Sequence, residues 1–273
     1  SYLTLYAQGG SMHLSELYVY PVKSLAGLKP ASIDLDRFGP SGDRRWMVVS
    51  ESGHFITQRE LPRMALLSAL PEDGALRLQE GADSILAAIP DSDTRDWRVQ
   101  VWGDSVRARD CGDDVAVWLS DKLERVCRLV YMPDDSVRRV DGVYASEGET
   151  VGFADGFPLL LISQASLDEL NQRLPEPVPM NRFRPNLVVS GCPPFAEDEW
   201  QHIRIGTMEF DVAKPCTRCV IPSIIQETAE RDPHINRALA AFRRFDGQVR
   251  FGQNLLYRGE GRLALGDPVE VVA

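Results

Sequence analysis

The sequence predicts a mainly β protein of the α+β type, with an N-terminal β-barrel subdomain, a second β-rich part and a few peripheral helices. Two observations carry this. Short apolar runs recur through the first hundred residues with glycine and aspartate turns between them, a rhythm of small barrels rather than of βαβ units. Helical periodicity appears only in isolated stretches further on, and strand character returns after each of them.

Taken in order, Ser1 to Ser11 fits a vector-derived leader ahead of a native start at Met12. Leu14 to Tyr20 reads as a strand broken at Pro21, and the loop that follows carries Lys23, Ser24 and Gly27. Ser32 to Asp36 alternates polar and apolar, Gly39-Pro40-Ser41-Gly42 turns the chain, and Arg45 to Val49 is a further strand. Leu76 to Leu78, Ile85 to Ala88, Arg98 to Trp102 and Val106 to Ala108 continue the series. Val115, Leu119 and Leu123, behind an acidic start at Asp113, predict an amphipathic helix. Arg128 to Tyr131 is a strand, and Asp134 to Thr150 an exposed loop. Leu159 to Ile162 leads to Ser163, an N-cap for a helix that runs through Leu174 and is broken by Pro175. Strands follow at Leu187 to Val189, Ile203 to Ile205 and Glu209 to Val212, where Pro215 is expected to stop the last of them. Asp232-Pro233 caps a helix over His234 to Phe245, and Gln253 to Tyr257, Arg262 to Leu265 and Val269 to Val272 close the fold. The domain division falls near residue 100, giving 12–100 and 101–273.

Composition narrows the function. With 273 residues, 44% of them hydrophobic, the chain can bury a sizeable core. A formal charge of −10 argues against binding a nucleic-acid polymer or an anionic membrane, while leaving room for a local cationic site. No apolar run reaches the length of a transmembrane helix. Five scattered cysteines, an odd number, point to a reducing, cytoplasmic setting.

Phosphate-loop, dinucleotide and nucleophile-elbow motifs are absent, and the four histidines lie far apart in sequence. Cys216 and Cys219 flank Thr217 and Arg218 behind Lys214, and positive charge beside thiols favours the thiolate, a nucleophile and soft-metal ligand. Half-buried structural cysteines and half a zinc site remain alternatives at this level. Lys23, Ser24, Arg44, Arg45, Arg59, Arg182, Arg184 and Asn186 sit at loop positions beside strands, where guanidinium groups suit phosphate.

Six ordered motifs carry a resemblance: Tyr20-Pro21-Val22-Lys23-Ser24, Gly42-Asp43-Arg44-Arg45-Trp46, Thr57-Gln58-Arg59, Ala108-Arg109-Asp110-Cys111-Gly112, Phe183-Arg184-Pro185-Asn186 and Pro215-Cys216-Thr217-Arg218-Cys219. Together they resemble proteins with the MOSC (molybdenum-cofactor sulfurase C-terminal) domain, of the kind found in YcbX-type proteins and the mitochondrial amidoxime-reducing component. The resemblance implies an N-terminal MOSC β-barrel followed by the MOSC domain, and a molybdenum cofactor of the molybdopterin type between them. It implies Cys219 as the metal ligand, with Arg218 and Lys214 available to favour its ionised form, Cys216 as a non-ligand neighbour, and Asp155 at the metal side. Lys23, Ser24, Arg44, Arg184 and Asn186 fall on cofactor-contacting positions, and Arg59 and Arg182 join them as candidate anion clamps. Gly156 and Phe157 stand where mitochondrial relatives carry small hydroxyl residues, which narrows the pocket. The implied activity is reduction of N-hydroxylated compounds such as hydroxylamines, amidoximes or N-hydroxylated nucleobases. The chain ends without the ferredoxin-like domain of YcbX, so electrons are expected from a separate donor protein of ferredoxin or flavin type. Two other readings stand beside this one. One is a cofactor carrier or sulfur-transfer module with a persulfide on Cys219, and the other a thiol–disulfide protein using Cys216 and Cys219.

Overall fold

The structure, a computed structural model, describes residues 10–146 and 148–272. Most of the expected leader, residues 1–9, lies outside the described residues. The first half holds β1 (His13–Leu17), β2 (Ser32–Asp36), β3 (Gly39–Pro40), β4 (Trp46–Val49), β5 (Ser68–Glu72), β6 (Ala75–Glu80), β7 (Asp83–Ala88), β8 (Asp96–Val101) and β9 (Asp104–Asp110). Helix α1 (Asp113–Leu123), β10 (Arg128–Tyr131), β11 (Leu159–Ser163), α2 (Gln164–Asn171), β12 (Leu187–Ser190), β13 (His202–Ile205) and β14 (Met208–Thr217) follow. The chain closes with α3 (His234–Phe242), β15 (Arg244–Phe245), β16 (Gln248–Leu256), β17 (Gly261–Ala264) and β18 (Val269–Val271).

The main sheet has the order β1-β12-β11-β16-β14-β13-β18, with β15 paired to β16. A bridge between His13 and Pro268 and backbone bonds from Leu14 to Asp267 and from Val269 to Met12 bring its first and last strands together into a barrel. Period-two alternation builds its two faces. Leu159, Leu161, Leu187 and Val189 point into the interior with Leu14, Ile203, Phe210 and Val269. Ile162 and Val188 point outward, where Leu167, Leu170, Ile235 and Leu239 of α2 and α3 cover them. β11 and β12 are parallel, and α2 lies in the connection that parallel pairing demands. Ser163 caps α2 as expected, its hydroxyl accepting from the Ser166 amide at 3.1 Å.

The N-terminal part is a four-stranded sheet, β4-β10-β9-β8, and a three-stranded sheet, β5-β6-β7, around Trp46, Val48, Met64, Leu76, Leu119 and Leu129. The sequence-level division near residue 100 falls inside β8, within the β8–β9 hairpin. The N-terminal strand crosses to the other part, since Leu14 pairs with Val189 in the barrel, and β2 pairs with β17.

Three local expectations are corrected. Pro215 does not end its strand: β14 runs on to Thr217, because register shifts at Val212/Lys214 and Pro215/Thr217 admit a residue with no N–H to give. α2 stops at Asn171 rather than Leu174, three residues short of the last apolar position. α3 stops at Phe242 rather than Phe245, because Asp246 and Gly247, at φ 50° and 78°, turn a hairpin that takes Arg244 and Phe245 into β15.

Candidate functional site

Seven segments converge on one cleft: the loop after β1, the turn after β3, the segment at Arg59, the segment before β11, the loop before β12, the end of β14 with the turn that follows it, and β16 at Asn254. Lys23, Ser24, Arg44, Arg59, Asp155, Arg184, Asn186 and Cys219 all line it, together with Phe157, Cys216, Arg218 and Asn254.

Three of its residues adopt the left-handed backbone region without being glycine: Ser24 (φ 71°), Arg44 (φ 43°) and Arg184 (φ 56°). Such conformations cost roughly 1–3 kcal/mol each and persist only where the surroundings fix them. The fixing contacts are visible. Gln58 donates to the Ser24 carbonyl at 2.6 Å, and the Gln58 and Gln226 amides bond each other reciprocally. The Arg44 amide donates to the Tyr20 carbonyl at 2.7 Å, and Phe153 donates back to the Arg44 carbonyl at 2.7 Å.

Tyr20 is the hub of the cationic wall. The guanidinium carbons of Arg44 and Arg184 lie 4.2 and 4.3 Å from its ring centre, and its hydroxyl donates to the Pro185 carbonyl. Asp43, 3% exposed, accepts from Arg44 at 3.0 and 2.8 Å, from the Tyr20 amide at 2.8 Å and from Asn186 at 3.3 Å. Desolvation pushes its carboxyl up, and Arg44 offsets this only in part. Asn186 spends its side chain on protein partners: it accepts from the Leu160 amide and donates to the Tyr18 carbonyl and to Asp43. It positions the wall rather than offering a free donor.

Arg184 is the open member. It is buried, and its Nη2 has no hydrogen-bond partner among the described residues. Burial lowers its pKa to about 10, with Arg44 adding to the effect. An anion in the cleft would relieve both.

Lys23, 5% exposed, donates to the Phe153 carbonyl at 2.8 Å and to Asp155 at 2.6 Å. Burial pushes its ammonium down to about 8, and Asp155 partly offsets this. Asp155 stands at the mouth, its side chain 61% exposed, and also receives Arg59 at 3.2 Å and the Trp102 indole N–H at 3.2 Å. Partial desolvation acts against its charge, yet Lys23 and Arg59 hold the carboxyl well below the usual carboxylate range. Arg138 ties the segment below Asp155, donating to the carbonyls of Gly152, Ala154 and Asp155.

Two sequence-level assignments shift. Arg182 lies outside the cleft: its Nε donates to the Pro222 carbonyl at 2.9 Å and its Nη2 to Asp232 at 3.3 Å, a buried tie between loops. Arg218 attends Cys216 rather than Cys219, with Nη1 3.1 Å from the Cys216 sulfur and Nη2 on the Phe183 carbonyl. Lys214 lies over the Tyr144 ring at 4.8 Å. The Cys219 sulfur accepts from the Ile221 amide at 3.5 Å and lines the cleft. Arg45, the neighbour of Arg44, is turned to Met132 and Asp134. Cys111, despite its place in a shared motif, is not in the cleft lining. Asp43 and Gln58 lie inside the shared motifs but carry no assignment at the sequence level, because their parts depend on which neighbours they hold. Trp102, Tyr144 and Asn254 gave no signal in the sequence.

Five basic residues, Lys23, Arg44, Arg59, Arg184 and Arg218, thus face Asp155 across one cleft in a chain of charge −10, with a half-buried thiol at its wall. This donor set fits a phosphate-bearing, anionic group that carries a soft metal. Among the described residues no three His, Cys, Asp or Glu side chains cluster as a metal cage, so a metal here would bring most of its ligands with it.

Residues 11–126 match the model of the MOSC N-terminal beta barrel domain, and residues 148–270 that of the MOSC domain. Mitochondrial amidoxime-reducing component 1 of Mus musculus is 33% identical over 276 residues, covering 94% of this chain and 81% of that protein. Mitochondrial amidoxime reducing component 2 of Rattus norvegicus is 34% identical over 94% of this chain and 82% of its own. Component 1 of Danio rerio is 33% identical over 94% and 83%. Two matched domains in tandem, and relatives aligned across nearly the whole chain, mean that this protein belongs to the MOSC-domain family that includes the mitochondrial amidoxime-reducing components.

Proposed function

We propose that the protein is a molybdenum-cofactor-dependent reductase of N-hydroxylated compounds, fed by a separate electron-donor protein. The observation that carries this reading is the unpartnered, buried Arg184 Nη2 in a five-cation cleft that also holds Cys219. The names of its relatives supply the reaction class.

When bound, the cofactor supplies the two-electron redox centre, and the protein supplies its setting. Arg184, Arg44 and Lys23 would hold the phosphate, with Arg44 aimed by Asp43 and Tyr20. Cys219 would supply the protein thiolate to the metal. Cleavage of the N–O bond of a hydroxylamine takes two electrons and two protons and releases water with the amine. Asp155, tied to Lys23 and Arg59 at the mouth, is placed to orient the polar N–OH end of a substrate. Arg59 completes the clamp on that side. All five cysteines are free thiols, which is compatible with a reducing setting.

The test is substitution at the two thiols, with molybdenum and pterin content measured alongside turnover of benzamidoxime by a chemical reductant. Cys219→Ser is expected to abolish turnover, whereas Cys216→Ser retains part of it. Equal turnover in wild type and Cys219→Ser, both loaded with metal, would sink the assignment. The second reading, a sulfur-transfer or carrier module, is favoured by two thiols on one cleft wall. It requires a sulfur adduct on Cys219 in the intact-mass spectrum and no reductase activity with any donor.

A further inference from the structure

The cleft does not end at Asp155. Asp155, Gly156, Phe157, Cys216, Thr217 and Asn254 also border an adjoining cavity of about 580 Å³, a size that suits a small molecule. Trp102 and Tyr144 line it as well.

Trp102 occupies the first position of the two-residue loop between β8 and β9, at φ 51°. Hairpin loops favour glycine, asparagine or aspartate there, and a bulky side chain in that conformation is an outlier. It is also 47% exposed, so burial does not explain its presence. Yet the ring is held in place: Phe55 packs on it at 5.2 Å, Arg59 lies over it at 4.6 Å, and its indole N–H bonds Asp155. A strained, half-exposed aromatic fixed by three contacts is a poor choice for stability alone. Independently, Tyr144 is 38% exposed, braced edge-on by Phe157 at 5.9 Å and covered by Lys214 at 4.8 Å. Phe157 lies two residues from Asp155 and borders both cavities.

We propose that this adjoining cavity is a substrate subsite that takes the flat aromatic body of an N-hydroxylated compound, with Trp102 and Tyr144 as specificity-determining residues. The inference rests on the reductase reading above and narrows its substrate class. Aromatic amidoximes and N-hydroxylated heterocycles stack on the two rings while their N–OH group reaches Asp155. Small aliphatic analogues reach Asp155 without using the subsite.

The experiment compares kcat/KM for benzamidoxime and acetamidoxime in cofactor-loaded wild type, Trp102→Leu, Tyr144→Leu and Trp102→Phe. Each Leu variant is expected to lower the aromatic-to-aliphatic ratio about tenfold, the loss of one ring stack, mainly through KM. Trp102→Phe, which keeps a ring but not the indole N–H, should hold the ratio near the wild-type value. An unchanged ratio in both Leu variants overturns the proposal. So does a Phe variant that falls as far as Leu, because the bond to Asp155 would then be the cause. If wild type reduces neither compound, the reductase reading fails, and the subsite is judged by binding alone. Benzamidoxime titrated into unloaded protein should quench tryptophan fluorescence in wild type and not in Trp102→Leu; identical curves overturn the subsite too.

Discussion

At the scale of single residues, the site concentrates positive charge that its own carboxylates only partly offset. Lys23 shows the cost most directly. Its ordinary pKa, near 10.4 in an unfolded chain, falls to about 8 on burial. Between those values the unfolded chain binds more protons than the folded one, so this group makes stability rise with pH across the window. Its hold on an anion runs the opposite way, weakening above pH 8 as the ammonium is lost. Melting temperature and cofactor retention, followed from pH 7 to 10, should therefore diverge in wild type. Lys23→Met should flatten Lys23's contribution to both profiles.

Residue-level chemistry was legible in the sequence where a motif named it, and less so where partnership decided the role. Arg218 is the instructive case. Side chains two apart on an extended segment share a face, so a β14 that continues to Thr217 sets Cys216 and Arg218 side by side. Reading Pro215 as a stop hides that relation. Arg182 misled for a different reason: it stands in a dense basic run, but its short 3₁₀ turn aims it inward at Pro222 and Asp232.

At the scale of elements, the apolar alternation identified most strands, and the acidic start at Asp113, the Ser163 cap and Asp232-Pro233 identified the starts of α1, α2 and α3. What they could not show was how segments far apart are held in register. Gly152 is such a point. A Cβ there would stand 2.8 Å from the Arg44 carbonyl oxygen and 3.3 Å from that of Asp43, both backbone atoms. The segment bearing Asp155 can lie against the Arg44 turn because position 152 has no side chain. Gly152→Ala is expected to force the two apart, costing about 1–3 kcal/mol by overpacking. Denaturant unfolding should show that loss, and cofactor content should fall with it because Lys23 and Asp155 no longer meet at the same place.

For the whole molecule, the cleft brings residues of the first sixty positions together with those after Val151. Like charges gathered there oppose folding until an anion joins them, and a ligand that binds only the folded state stabilises it by mass action. Removing the cofactor from loaded protein should lower the melting temperature by several degrees, and the loss should be recovered on reconstitution. Equal melting curves for loaded and stripped protein would count against this cleft as its seat. None of this was readable from composition, which gives only the net charge and not its distribution.

The crossing of β1 into the barrel has a further consequence for how the chain comes into being. Leu14 must wait for Val189, and Ile33 for Leu263, before either strand gains its partner. A chain emerging from the ribosome would thus carry β1 and β2 without these partners until β12 and β17 had been made. Such long-range closure is slow and leaves apolar edges exposed meanwhile. It also means that the two walls of the cleft meet only once the segments bearing Arg184 and Cys219 have been made, long after those bearing Lys23 and Arg44.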